Sequence, residues 1–172
     1  MRVVFHFLAE RIGQASKAAH VHPHGPRLVS KRFGLYPAFA RDCDVAFAVV
    51  QANAWVPKDE LVGGFDKDKI CELLTAYWWL LNSRVAVALL REFCPNVAGG
   101  QLDLENKYVK NVPLPNLVRQ FNENPTLPVL ANSIRSRYQN RLPPISDRDQ
   151  FAATAFGTDI SEWKFSGLEI PY

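Results

Sequence analysis

The middle of the chain carries a continuous stripe of apolar residues at helical spacing. Over residues 69–93 the apolar positions recur every three or four residues, which predicts one long helix. Trp78 and Trp79 widen the stripe, so this helix is expected to be buried on more than one side. Cys94 and Pro95 follow the stripe and end the helix, because the residue before a proline avoids helical backbone angles.

Segments with the composition of strands lie on both sides of this helix. Residues 27–33 alternate between two sets of side chains, and residues 44–56 are rich in valine, alanine and aromatic residues, so both are predicted strands. Pro57 ends the second strand, because proline cannot donate a ladder hydrogen bond. A short strand is predicted over residues 101–104. Residues 1–19 fit either an amphipathic helix or a strand.

The last part of the chain is predicted to be helical. Residues 106–112 fit a short helix or turn, and longer helices are expected over 127–141 and 147–156, with Gly157 ending the last one. Strands and helices do not alternate regularly, which favours an α+β fold over a doubly wound sheet. We therefore expect a small mixed sheet packed around a long central hydrophobic helix, with a helical C-terminal tail.

The composition narrows the class of protein. The chain has 172 residues, of which 48% are hydrophobic and 22% charged, and this excludes wholesale disorder. The uncharged stretch around the tryptophans, residues 73–83, is too short to cross a bilayer, and residues 1–11 lack a signal-peptide pattern. Three widely spaced cysteines predict free, buried thiols rather than a disulfide framework. These features indicate a cytoplasmic protein with no membrane partner.

The charges are distributed unevenly along the chain. Residues 1–43 hold seven lysines and arginines against two acidic residues, whereas residues 144–172 hold two basic residues against five acidic ones. Such asymmetry is typical of a protein with one region that faces nucleic acid. A merely basic surface is the alternative interpretation.

The sequence lacks the common catalytic motifs. It contains no G-x-S-x-G, no P-loop, no H-E-x-x-H and no paired C-x-x-C, so no catalytic residue is predicted. His20, His22 and His24 alternate as zinc ligands on a strand would, and a metal-dependent enzyme using them is one hypothesis. They lie in a stretch rich in proline and glycine without a nearby fourth ligand, so we predict no metal site.

Three stretches together carry a resemblance to a known family. Residues 73–83 end an apolar helix in Leu-Asn-Ser, residues 93–104 contain Gly99-Gly100, and residues 106–115 are basic and end in Pro-Leu-Pro. This pattern resembles the C-terminal target-recognition domain of Taq-like and type IIG adenine-specific DNA methyltransferases, which is related to type I specificity subunits. Residues 26–34 and 147–157 are similar to the opening strand and the closing helix of that domain.

The resemblance implies a non-catalytic module for sequence-specific recognition of double-stranded DNA in a restriction–modification or DNA methyltransferase system. The catalytic N-P-P-[YF] motif of the family is absent, so S-adenosylmethionine and methyl transfer are expected on a partner subunit or domain. Phe156 stands where the family usually has tyrosine. The resemblance divides the chain into an N-terminal segment of uncertain role (1–23), a target-recognition core (24–120) and a helical tail that packs on the core (121–172).

The candidate DNA-binding residues are polar or basic and lie in residues 31–36, in residues 96–110 around the Gly99-Gly100 turn, or on a tail helix. They are Lys31, Arg32, Tyr36, Asn96, Gln101, Asn106, Lys107, Tyr108, Lys110, Arg137 and Arg141. Lysine and arginine neutralise phosphates, while arginine, asparagine and glutamine can read base edges. Lys107 and Lys110 are three residues apart, and Arg137 and Arg141 four apart, so each pair is expected to share a helix face. For each residue taken singly, ordinary solvated polarity is the alternative.

A second hypothesis is a protein-interaction or oligomerisation element. In that case the tryptophan-rich helix and residues 1–19 are apolar because they pack on a catalytic domain or on a second copy of the chain, as in a homodimer.

Overall fold

The computed structural model describes residues 6–8, 25–46, 52–165 and 168. The strands in these ranges are β1 His6–Leu8, β2 Arg27–Lys31, β3 Phe33–Gly34, β4 Phe39–Asp42, β5 Ala52–Val56, β6 Asn96–Val97 and β7 Gln101–Asp103. The α-helices are α1 Asp59–Val62, α2 Lys67–Leu81, α3 Arg84–Phe93, α4 Asn106–Val109, α5 Leu117–Glu123, α6 Thr126–Tyr138 and α7 Ile145–Phe156. The α+β class and the helical C-terminal tail are thus confirmed.

The described strands form two antiparallel sheets instead of the single mixed sheet that we expected. The larger sheet has the order β1-β5-β2-β4, with Leu28 opposite Trp55 and Ser30 opposite Phe39. The smaller sheet has the order β3-β7-β6. The predicted strand over residues 27–33 is divided at Arg32, so that β2 joins the larger sheet and β3 the smaller one.

The apolar stripe over residues 69–93 folds as two helices, so the prediction of one long helix is wrong. Between α2 and α3 the chain bends by 75°. Ser83 begins α3, because its hydroxyl oxygen accepts the backbone N–H of Ala86 at 3.1 Å. Asn82 exchanges hydrogen bonds with the backbone N–H and carbonyl of Phe39, both at 3.1 Å. Side chains of this kind form hydrogen bonds with the backbone that compete with the helical ones. The periodicity of apolar residues does not show this competition.

Helix α2 lies at the centre of the core, as its apolar stripe predicts. Tyr77 and Trp79 are completely buried, and the Trp79 ring meets the ring of Phe151 on α7 edge to face, with centroids 5.5 Å apart. The Tyr77 hydroxyl donates to the carbonyl of Pro115 at 2.8 Å and accepts the N–H of Leu117 at 3.2 Å. The helix therefore packs against the tail on one side and holds the segment before α5 on another.

No single helix of the described residues has the length and apolar character of a membrane span. Helices α2 and α3 reach that length and composition only when taken together across their bend.

Several other predicted elements differ at their ends. Residues 44–46 are not in a strand, because the N–H of Ala46 donates to the Asp42 carboxylate at 2.8 Å instead of to a ladder. The strand predicted over 44–56 is therefore confirmed only as β5, and residues 47–51 lie outside the described residues. Of residues 1–19, only β1 is described, as a strand.

The two long helices predicted for the tail are present, but three of their four ends differ from the predicted ones by one to three residues. Helix α6 ends at Tyr138 because Gln139 adopts a positive φ of 50°. Gly157 ends α7 with a φ of 72°, which confirms its predicted role, because this left-handed conformation favours glycine. Helix α5, which follows the Pro-Leu-Pro stretch, was not predicted.

A buried ionic cluster attaches the tail to the bend between α2 and α3. The Asp149 carboxylate, completely buried on α7, accepts the backbone N–H of Arg84 at 2.7 Å and its guanidinium Nε at 2.6 Å. The neighbouring Arg148, 1% exposed, donates to the carbonyl of Asn82 at 2.5 Å. The Leu-Asn-Ser stretch and the closing helix, two parts of the family resemblance, are thus in direct contact.

Candidate nucleic-acid interface

The smaller sheet brings together segments that lie about 70 residues apart in the sequence. In its register Phe33 pairs with Asp103 and Gly34 with Leu102, and on the other edge Val97 pairs with Gln101. We call residues 31–36, 96–103 and 105–110 the small-sheet surface. Most of the candidate DNA-binding residues lie on it.

Glycines shape the turns of this surface. Gly99 and Gly100, with φ of 77° and 72°, connect β6 to β7 in a conformation that is costly for other residues. A Cβ at Gly34 would lie 2.9 Å from the carbonyl oxygen of Tyr36, so a larger residue would displace the loop after β3. Local backbone requirements therefore fix the turn between β6 and β7 and the loop after β3, which carries Tyr36.

The two faces of the small sheet differ. Side chains alternate along a strand, so Leu102, 1% exposed, lies on the core face, while Gln101 and Asp103 lie on the outer face, where Asp103 is only 7% exposed. Phe33 and Val97, which pair with Asp103 and Gln101, share this outer face and are 42% and 37% exposed. The outer face thus combines polar groups with exposed apolar ones.

An ion-pair chain crosses the small-sheet surface. Arg32 Nε lies 3.2 Å from Asp103 Oδ1, and Arg32 Nη2 lies 3.0 Å from Glu105 Oε2. The same oxygen of Glu105 lies 3.1 Å from Nζ of Lys107. Two of the predicted phosphate-binding cations therefore already have carboxylate partners within the chain.

These pairs stabilise the charged form of both cations. The hydrogen bond to Asp103 raises the pKa of Arg32, and the hydrogen bond to Glu105 raises the pKa of Lys107. Each cation also lies over an aromatic ring, Arg32 at 4.7 Å from the Phe33 centroid and Lys107 at 4.7 Å from that of Tyr108. The carboxylates and rings together hold the cationic side chains in place at the surface.

Lys31 and Lys110 are exposed and have no ion-pair partner among the described residues. Lys110 follows α4 with helical backbone angles, and its N–H donates to the carbonyl of Asn106 at 3.1 Å. Residues three apart on a helical turn are neighbours, so the helical angles of Lys110 agree with a shared side for Lys107 and Lys110.

The remaining candidates on this surface differ in exposure. Asn96 on β6 is exposed, while Tyr36, Gln101 and Asn106 are half-buried. Tyr108 is also half-buried and packs against the core, so its ring is held in place below the Lys107 ammonium.

Arg137 and Arg141 do not form the predicted helical ridge. Arg137 lies on the last turn of α6, with Nη1 3.3 Å from Asp147, whereas Arg141 lies beyond the reversal of the chain at Gln139. Asn140, beside Arg141, accepts a hydrogen bond at 3.2 Å from Arg41 on β4. No hydrogen bond or ion pair described for the two arginines reaches the small-sheet surface.

The other candidate sites receive no support from the described residues. His20, His22 and His24 lie outside them, and no group of three or more potential metal ligands occurs within the described ranges. Trp79 is buried, and Trp78 is half-buried with its Nε1 donating to the Phe39 carbonyl at 2.8 Å. The tryptophan-rich helix is therefore part of the core. It does not offer the exposed apolar surface that the protein-interaction hypothesis assumed.

Sequence reasoning missed the acidic half of this site. Asp103 and Glu105 alternate with apolar residues at the end of β7, and nothing local shows that Arg32, more than 70 residues earlier, is their partner.

Comparison of the chain with protein-family models, curated proteins and solved structures finds no match.

Proposed function

We propose that this chain is a non-catalytic module that recognises double-stranded DNA through its small-sheet surface, within a restriction–modification or adenine methyltransferase system. The observation that supports this proposal is the pairing of β3 with β7, which joins residues 31–36 to residues 96–110 in one surface. A partner subunit or domain supplies S-adenosylmethionine binding and methyl transfer.

In this proposal, charged side chains of the surface provide affinity for DNA, and amide side chains read the base sequence. Lys31 and Lys110 bind phosphates, which releases counterions and supplies affinity without sequence information. The amides of Asn96 and Gln101 have the donor and acceptor pair that matches adenine in the major groove. Arg32 and Lys107 exchange a carboxylate partner for a phosphate when the duplex binds.

A salt titration of binding tests the proposal. Fluorescence anisotropy with a labelled duplex is expected to show an affinity that falls steeply with salt, and Lys110→Ala is expected to reduce the log–log slope by about one. Lys164→Ala, a change at another exposed lysine, is the matched control and leaves the slope unchanged. Binding that is insensitive to salt, or equal losses in both variants, would contradict the proposal.

Removing the acidic partner is expected to strengthen binding. Glu105→Gln frees Arg32 and Lys107 from a carboxylate 3.0–3.1 Å away, so affinity for duplex DNA should rise roughly three- to tenfold at low salt. Glu123→Gln is the matched control, because Glu123 pairs with Arg119 at 2.6 Å on α5. A gain in both variants would show a general charge effect, and a loss in Glu105→Gln would refute the role of this surface.

A second candidate function, assembly into a homodimer, is favoured by the apolar part of the same surface. Phe33, Leu35 and Val97 are 42%, 53% and 37% exposed. Sedimentation of the chain alone and with duplex DNA distinguishes the two functions. A stable dimer that Leu35→Ser dissociates, and that is indifferent to DNA, would support assembly over DNA recognition.

A further inference from the structure

The end of β4 and the turn after it lie alongside α2, and side chains of the two segments make contact at two places. Arg41 Nη1 donates to Thr75 Oγ1 at 2.5 Å, and at the other end Lys67 Nζ lies 3.0 Å from Asp44 Oδ1. Lys67, Cys71 and Thr75 are four residues apart, so they lie on one face of α2. Cys43 lies between Arg41 and Asp44, opposite the middle of that face.

These outer contacts place two thiols together. The flanking contacts make Cys43 and Cys71 neighbours, and the Cys43 side chain contributes to the raised pKa of Cys71. Both cysteines are half-buried, whereas the third, Cys94 at the end of α3, is only 3% exposed. The chain therefore has one thiol pair that a small molecule can reach and one thiol enclosed in the core.

We propose that Cys43 and Cys71 are a redox-responsive pair that forms a reversible disulfide when a small-molecule disulfide acts as the oxidant. Prediction from sequence gave three separate thiols, because 27 residues intervene between Cys43 and Cys71 and no spacing motif relates them. The pair is independent of the small-sheet surface and of the DNA-binding proposal.

The turn that carries Cys43 is held before any reaction occurs. Asp42, 2% exposed, accepts the Arg27 guanidinium at 3.0 Å and the N–H of Ala46 at 2.8 Å. Val45 in this turn has a φ of 54°, a conformation uncommon for a valine. The turn therefore presents Cys43 from a fixed position next to α2.

The reaction is a pair of thiol–disulfide exchanges. The thiolate of Cys43 attacks one sulfur of the small disulfide, such as oxidised glutathione, and releases the first small thiol. Cys71 then loses its proton and attacks the Cys43 sulfur, which releases the second small thiol. The two protein thiols give up two electrons and two protons, and the oxidant gains them as two thiols.

The surroundings of Cys71 favour attack by the other thiol in the first step. Burial, together with the hydrogen bond to Cys43, raises the pKa of Cys71 to about 12, although the charges of Lys67 and Arg41 act to lower it. A thiol with a raised pKa is less often a thiolate, so Cys71 is disfavoured as the first nucleophile. The third thiol is also unreactive, since burial raises the pKa of Cys94 to about 12.

Mass spectrometry tests the pairing directly. The full chain is incubated natively with excess oxidised glutathione, alkylated and digested with trypsin. The expected product links the peptide of residues 42–58 to that of residues 70–84 with the loss of two hydrogen atoms. The link should disappear in Cys43→Ser and in Cys71→Ser, persist in Cys94→Ser, and be reversed by excess reduced glutathione.

Thermal unfolding gives a second readout. Closing the loop between residues 43 and 71 restricts the unfolded chain, so oxidation should raise Tm by roughly 5–10 °C in the wild type and in Cys94→Ser but not in the other two variants. Glutathione adducts without a link, a link that requires Cys94, or a link that leaves Tm unchanged would overturn the proposal.

Discussion

Replacing Asp149 by alanine is expected to lower the free energy of unfolding by about 3–5 kcal/mol. The carboxylate is completely buried and accepts two hydrogen bonds from Arg84, at 2.6 and 2.7 Å. Burial raises the pKa of this carboxyl by more than Arg84 and Arg148 lower it, so the arginines offset only part of the cost of burying the charge. Its removal leaves the N–H of Arg84 without its acceptor and takes away a negative charge that interacts with the buried Arg148.

Urea unfolding followed by circular dichroism measures this loss. Gln150→Ala, an exposed change on the same helix, is the control and should shift stability by less than about 0.5 kcal/mol. Asp149→Asn keeps an oxygen acceptor for Arg84 and should cost less than alanine does. A loss below about 1 kcal/mol in Asp149→Ala would mean that the cluster does not attach the tail to the bend.

Replacing Trp79 by alanine is expected to cost about 3–5 kcal/mol, which is the usual range for a large buried aromatic residue. Trp79 has no exposed surface and packs edge to face on Phe151, so its removal leaves a cavity between α2 and α7. Trp79→Phe keeps an aromatic ring and removes an indole N–H that has no hydrogen-bond partner among the described residues. It should therefore cost less than half as much as alanine.

Val129→Ala is the control for this series, because Val129 is an apolar residue of the tail that is 70% exposed. Its stability should change by less than about 0.5 kcal/mol. Equal losses of unfolding free energy for Val129→Ala and Trp79→Ala in chemical denaturation would show that Trp79 on α2 is not part of the core.

The parts of the fold that depend on local pattern were predictable from the sequence. The burial of α2 follows from its apolar stripe, and the end of α7 follows from Gly157. The break between α2 and α3 was missed because it depends on the Asn82 side chain bonding to Phe39, 43 residues earlier. Apolar periodicity continues through such a break without interruption.

The sequence allowed the basic residues of the candidate site to be predicted, but not the ion pairs that they form. Lys31 and Lys110 could be identified from the sequence as candidate phosphate-binding residues, and the structure leaves both exposed. The pairing of Arg32 with Asp103 and Glu105 depends on the register of β3 with β7, which links distant parts of the chain. The ridge predicted from Arg137 and Arg141 failed because Gln139 reverses the chain between them.

The measurement that tests the central claim most directly is an NMR titration of the ¹⁵N-labelled chain with a short DNA duplex at low salt. Low salt strengthens binding to any sequence, so the target site is not needed for this experiment. We expect chemical-shift changes concentrated in residues 31–36, 96–103 and 105–110. Changes concentrated instead on α6 around Arg137, or no changes at low salt, would contradict the claim that the small-sheet surface binds duplex DNA.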